Sequence, residues 1–75
     1  MEKYMYLGGF ANEILPGMTT YNIGFENPET KRDDETQYSA ASLSELECLW
    51  LEFCAENNIH PSSVIYVEHT EDEVL

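Results

Sequence analysis

Positive charge is scarce in this sequence: three Lys/Arg stand against fifteen Asp/Glu, a formal net charge of −12 over 75 residues. So few cations leave no electrostatic footprint for phosphates, so direct nucleic-acid binding is not expected. Long apolar runs are also missing. No stretch approaches the roughly 18–20 residues of a membrane-spanning helix. Met1-Glu2-Lys3-Tyr4 is not followed by the apolar region of an export signal. Cysteine occurs twice, at Cys48 and Cys54. On one helix that spacing separates the Cα atoms by about 9 Å, beyond the ~7 Å reach of a disulfide. Two reduced thiols and no export signal place the expected location in the cytoplasm. Gly8-Gly9 lacks the spacing and the Lys of a phosphate-binding loop. A chain of this length suits one domain with a small core, expected over residues 1–69, with 70–75 as an acidic tail.

Acids and aromatics are plentiful. Five Tyr, three Phe and one Trp can each remove ~150–250 Å² from water when buried, so the chain reads as folded despite its charge. The charge is unevenly distributed. Lys3, Lys31 and Arg32 all lie in the first 32 positions, and the 43 residues from Asp33 to Leu75 hold eleven acids and no Lys or Arg. Solubility alone asks for charges of both signs interspersed, so this polarity points toward a functional negative field.

Lys3 to Phe10 is aromatic-rich and predicts a first strand with a twist or bulge at Gly8-Gly9. Pro16-Gly17 has the residue order of a type II turn. Thr19 to Glu26 alternates, with Tyr21, Ile23 and Phe25 on one face and Thr20, Asn22, Gly24 and Glu26 on the other, and predicts a half-buried strand. Asn27 to Glu35 reads as a polar loop and Thr36 to Ala41 as a short strand.

Ser42 and Glu45 form a capping box, which opens a helix running to about Asn57 with Asn58 as a left-handed cap. Val64 to His69 is β-branched and aromatic and predicts a last strand. The expected fold class is therefore α+β, a small antiparallel-dominated sheet in the order β-β-(β)-α-β with one amphipathic helix on one face. If the first strand is central, the strand order is 3-2-1-4.

At about 100° per residue, Leu43, Leu46, Leu49, Trp50, Phe53 and Cys54 form the stripe that should face the sheet. Glu45, Glu52 and Glu56 line one margin. Ser44, Cys48, Leu51 and Ala55 fall on the side expected to face water, flanked by Glu47 and Glu52. This second stripe is either a tolerated surface or a contact for a homodimer or partner centred on Leu51. Ile14 and Leu15, before Pro16, either fold back over the core or form an apolar finger.

Chemistry-bearing motifs are few. His60 and His69 stand nine apart with no ligand spacing of a zinc site. Asp33-Asp34-Glu35 and Glu71-Asp72-Glu73 lack the alternating oxygens and the glycine of a calcium loop. Cys48 and Cys54 in an acidic helix are poorly placed to form thiolates. Neither an enzyme, a cofactor nor a metal is expected.

The expected function is a non-enzymatic module that binds a basic protein surface. Its sharpest form is an inhibitor that mimics nucleic acid at a Lys/Arg-rich groove. Glu45, Glu52 and Glu56 are the leading contact acids, supported by Asp33, Asp34, Glu35 and Glu68, with Leu51, Cys48, Ile14 and Leu15 as apolar anchors. In composition alone the chain is similar to small acidic inhibitors of nucleic-acid enzymes, such as anti-restriction and anti-CRISPR proteins, and it shares no motif with them. The competing expectation is a small homo-oligomeric or complex-forming protein whose acids serve solubility.

Overall fold

The computed structural model describes residues 6–70. The fold is α+β: a short 3-10 helix (Gly8–Glu13), strands β1 (Thr19–Asn27) and β2 (Arg32–Ala40), helix α1 (Leu43–Asn57), a 3-10 turn (Pro61–Ser63) and strand β3 (Val64–His69). The strands form one antiparallel sheet in the order β2-β1-β3.

β1 is central because its alternation is the strongest in the chain. Tyr21, Ile23 and Phe25 are all buried, and both edges of β1 are paired. The hairpin to β2 is tighter than the sequence suggests: the loop is confined to residues 28–31, and Arg32 to Glu35 join β2. Asn27 closes it. Its Oδ1 accepts from the Glu29 amide at 2.9 Å, and its carbonyl accepts from the Lys31 amide at 2.8 Å, with Lys31 left-handed at φ 61°. The side-chain bonds of Asn27 end the loop early, which composition alone does not reveal.

The predicted first strand is corrected. Lys3 to Met5 lie outside the described residues, and Gly8 to Phe10 belong to the 3-10 helix. Two glycines weaken a strand. The amides of Tyr6 and Leu7 bond to the Glu47 carboxylate instead of a neighbouring strand. The place reserved beside Thr19–Asn27 is taken by β3, so the order 3-2-1-4 becomes β2-β1-β3. β2 and β3 run parallel to each other, with β1 between them.

The predicted helix ends hold. Ser42 Oγ accepts from the Glu45 amide at 3.2 Å, while Glu45 Oε1 accepts from the Ala41 amide at 2.7 Å, one residue before the cap. At the other end Asn58 is left-handed, and the Ile59 amide reaches the Cys54 carbonyl at 2.9 Å. Leu46, Trp50 and Cys54 are buried against the sheet, with Leu43, Leu49 and Phe53 at the stripe's half-buried margins. Trp50 and Phe53 stack at 5.7 Å, and Phe25 meets them at 5.6 and 5.4 Å. The indole N–H of Trp50 donates to the Pro61 carbonyl at 3.1 Å, so this large side chain buries its one polar atom satisfied.

Candidate functional site

Strand register sorts the acids. Cross-strand partners share a face. Tyr21, Ile23 and Phe25 face the helix, so their partners Tyr38, Thr36 and Asp34 do too. The opposite face carries Thr20, Asn22, Gly24 and Glu26 from β1, Asp33, Glu35, Gln37 and Ser39 from β2, and Tyr66 and Glu68 from β3. Among the described residues no element covers this face, and Glu26, Asp33, Glu35 and Glu68 are exposed on it. Among the described residues it holds no Lys or Arg.

One end of this open face is neutral and hydrogen-bonded: Thr20 Oγ1 meets Ser39 Oγ at 2.8 Å, and Gln37 Nε2 donates to Asn22 Oδ1 at 2.9 Å. Tyr66 lies over Gly24 beside the acids. A Cβ at Gly24 would run into the ring edge at Cε2 and Cζ, so only glycine admits the phenol this closely. The Tyr66 hydroxyl donates to Glu35 Oε2 at 2.7 Å. This bond, with help from the nearby charges of Glu35, Glu68 and Asp33, raises the phenol above its ordinary value of 10.0. Next to it the ladder is irregular: Gly24 opposes Tyr66 but Phe25 opposes Val64, leaving Ile65 as the extra residue.

The helix acids lie elsewhere. Glu45, Glu52 and Glu56 are exposed on the helical layer, on the other side of the sheet from Asp33, Glu35 and Glu68. The two groups do not share a face. Asp34 separates from its sequence neighbours, because alternation points it toward the helix side, where it accepts from Asn27 Nδ2 at 3.0 Å. The second helix stripe is on the surface as expected: Ser44, Cys48, Leu51 and Ala55 are all exposed, Leu51 at 37%. Ile14 and Leu15 take opposite roles. Ile14 packs against the core, whereas Leu15 is exposed and its amide donates to the Tyr21 hydroxyl at 2.8 Å.

Glu47 is a correction. Expected to flank the solvent-facing stripe, it is buried at 3% exposure and accepts from Tyr6 N at 3.0 Å and Leu7 N at 2.9 Å. It ties the N-terminal segment to the helix, a structural role. The available signal was its helical angle, about 20° beyond Cys54 at the stripe's edge. Tyr66 was also missed. The clue was a glycine inside a strong strand pattern, which marks a close approach.

Cys48 is exposed, Cys54 is buried, and both are free. His60 caps the 3-10 turn, with Nδ1 accepting from the Ser62 amide at 3.1 Å. Among the described residues no three His, Cys, Asp or Glu side chains are grouped to hold a metal ion, and no helix is long and apolar enough to cross a membrane. A cavity of about 300 Å³ opens between the hairpin and the C-terminal end of α1. Phe25, Phe53 and Ile59 form its apolar lining, and Glu29 and Asp34 stand at its polar side.

Comparison with protein-family models, curated proteins and solved structures finds no match. The residues and their geometry therefore carry the functional reading.

Proposed function

We propose that the protein is a non-enzymatic acidic interaction module whose open sheet face docks on a basic protein surface. The observation that carries this reading is the sorting of charge on that face: Glu26, Asp33, Glu35 and Glu68 share it with Tyr66, and among the described residues no Lys or Arg stands on it. The carboxylates steer encounter with a cationic partner and exclude acidic ones. Tyr66 offers a rigid amphipathic contact among them.

Its finer form is an inhibitor occupying a Lys/Arg-lined groove in place of nucleic acid. Alternate residues on β2 lie about 6.8 Å apart and adjacent strands about 4.8 Å apart, so these charges spread in two dimensions like a patch of phosphates. The helix acids Glu45, Glu52 and Glu56 lie on the other layer and are secondary in this reading.

The test is retention of partners on the immobilised protein at about 50 and 300 mM salt. The wild type should retain a basic protein at low salt and release it at high salt. A triple variant Asp33→Asn, Glu35→Gln, Glu68→Gln should lose it, while Glu45→Gln, Glu52→Gln, Glu56→Gln should keep it. Release by duplex DNA or RNA identifies the mimic. Retention of nothing at either salt, or loss only in the helix triple, overturns the open-face reading.

A second reading is favoured by the exposed Leu51 among the small side chains Ser44, Cys48 and Ala55, which permit close helix approach. It makes the protein a homodimer through this stripe. Sedimentation would then give a dimer mass insensitive to salt and abolished by Leu51→Lys.

A further inference from the structure

The cavity between the β1–β2 hairpin and the end of α1 combines three features that favour a cation with a flat apolar surface. Its apolar lining is Phe25, Phe53 and Ile59. The two ring centroids lie 5.4 Å apart, and the half-buried Phe53 is the more open of the two rings. Aromatic faces attract cations, guanidinium above all. Its polar side carries Glu29 and Asp34, with Glu35 also reaching its rim from β2. One Asp34 oxygen, Oδ2, accepts from Asn27 at 3.0 Å, and the carboxylate retains lone pairs for a ligand. The helix presents its C-terminal end here, through Phe53 and Asn57, with no basic residue in its last turn. The negative end of the macrodipole therefore adds to the field.

We propose that this cavity receives the side chain of an arginine projecting from the basic partner. The inference rests on the reading of the protein as a module for a basic surface, and it adds a specificity pocket on the other side of the sheet. The volume of about 300 Å³ is at the small end of ligand pockets, suited to one long side chain. A planar guanidinium can pair with the Asp34 carboxylate while its face lies on an aromatic ring, whereas an ammonium is a point charge that can do only the first. A bare divalent cation is a poor fit, because among the described residues no three His, Cys, Asp or Glu side chains are grouped to hold one. The chain's own Lys31 and Arg32, at the hairpin tip, do not line the cavity.

The experiment is a titration of the whole protein with N-acetyl-arginine methylamide, and separately with the lysine analogue, followed by amide NMR shifts. The arginine probe should give saturable shifts at Thr36, Asn57 and Ile59, and should bind about three- to tenfold more tightly than the lysine probe. Asp34→Asn and Glu29→Gln, both at exposed positions, should each weaken it by about threefold or more, while Asp33→Asn with Glu68→Gln should leave the cavity shifts in place. Equal binding of both probes, shifts confined to the open sheet face, or no saturation overturns the proposal. So does binding that appears only in Arg32→Met, because the chain's own arginine would then be the occupant. These outcomes are separable from failure of the parent reading. Salt-sensitive partner retention that depends on Asp33 and Glu68, neither of which lines the cavity, can persist while the pocket fails, and the pocket can take the probe while no partner is retained.

Discussion

The two faces of one three-stranded sheet have opposite tasks. On the helix side Tyr21, Ile23, Phe25 and Val67 are buried against Leu46, Trp50 and Cys54, and the favourable term is removal of aromatic surface from water. On the open side the same strands carry Glu26, Asp33, Glu35 and Glu68. Like charges held this close disfavour the compact state. Stability is therefore concentrated on one face and a candidate interaction surface on the other. A small domain can separate them this cleanly because a strand's period of two places neighbours on opposite faces.

Truncating the covered face should have the largest effect. Trp50→Ala removes a fully buried indole and should cost about 3–5 kcal/mol, a large part of the ~5–15 kcal/mol that holds a domain folded. Urea denaturation followed by circular dichroism measures it. The matching change on the open face, Asp33→Asn with Glu68→Gln, should shift stability by no more than about 0.5 kcal/mol. Equal effects would erase the contrast between the faces.

Next comes the carboxylate that crosses from the polar class to the covered side. Glu47→Leu leaves the Tyr6 and Leu7 amides without their acceptor and should cost about 2–4 kcal/mol. Glu47→Gln keeps one carbonyl oxygen as acceptor and should lose less. The urea midpoints of the two variants give the order, and a neutral result for Glu47→Leu would show that the N-terminal segment is not held from the helix.

Alkaline pH sharpens the comparison, because each face carries a group whose pKa is raised. Burial pushes the Cys54 thiol from 9.0 up to about 11, so folded and unfolded chains hold the same proton below pH 9. Above that pH the unfolded chain ionises first, and stability falls between pH 9 and about 11. Tyr66 on the open face, raised above 10.0 by its bond to Glu35, acts in the same direction at higher pH. Urea midpoints across this range should decline in the wild type, and Cys54→Ala should flatten the first part of the decline.

The smallest effect is local to the open face. Glu35→Gln removes the charged acceptor of the Tyr66 hydroxyl, and the phenol should titrate closer to 10.0, read from its absorbance near 295 nm, about where phenolate absorbs. Gly24→Ala should act in the same direction, since its methyl displaces the ring that reaches Glu35. An unchanged Tyr66 titration in both variants would separate the phenol from the acids around it.

The elements with local signals were legible in the sequence. The Ser42/Glu45 box, the Asn58 cap, the alternation of Tyr21, Ile23 and Phe25 and the β-branched run at Val64 all act within a few residues, and each is present in the fold. The aromatic stripe of α1 fell on the covered side because helical period and hydrophobicity decide that together. Long-range partners were not legible. The fate of Tyr6 and Leu7 depends on Glu47, some 40 residues later, and Gly24 is explained only by Tyr66. The acids show the same division. Sequence alone determined that fifteen of them face three cations. Only the sheet's register decided that Asp33, Glu35 and Glu68 share the face opposite the helix while Asp34 turns toward it, and only the packing of α1 put Glu45, Glu52 and Glu56 on the other layer. Composition sets the total charge, but strand pairing sets its geometry, because a shift of one residue in register moves every side chain to the opposite face.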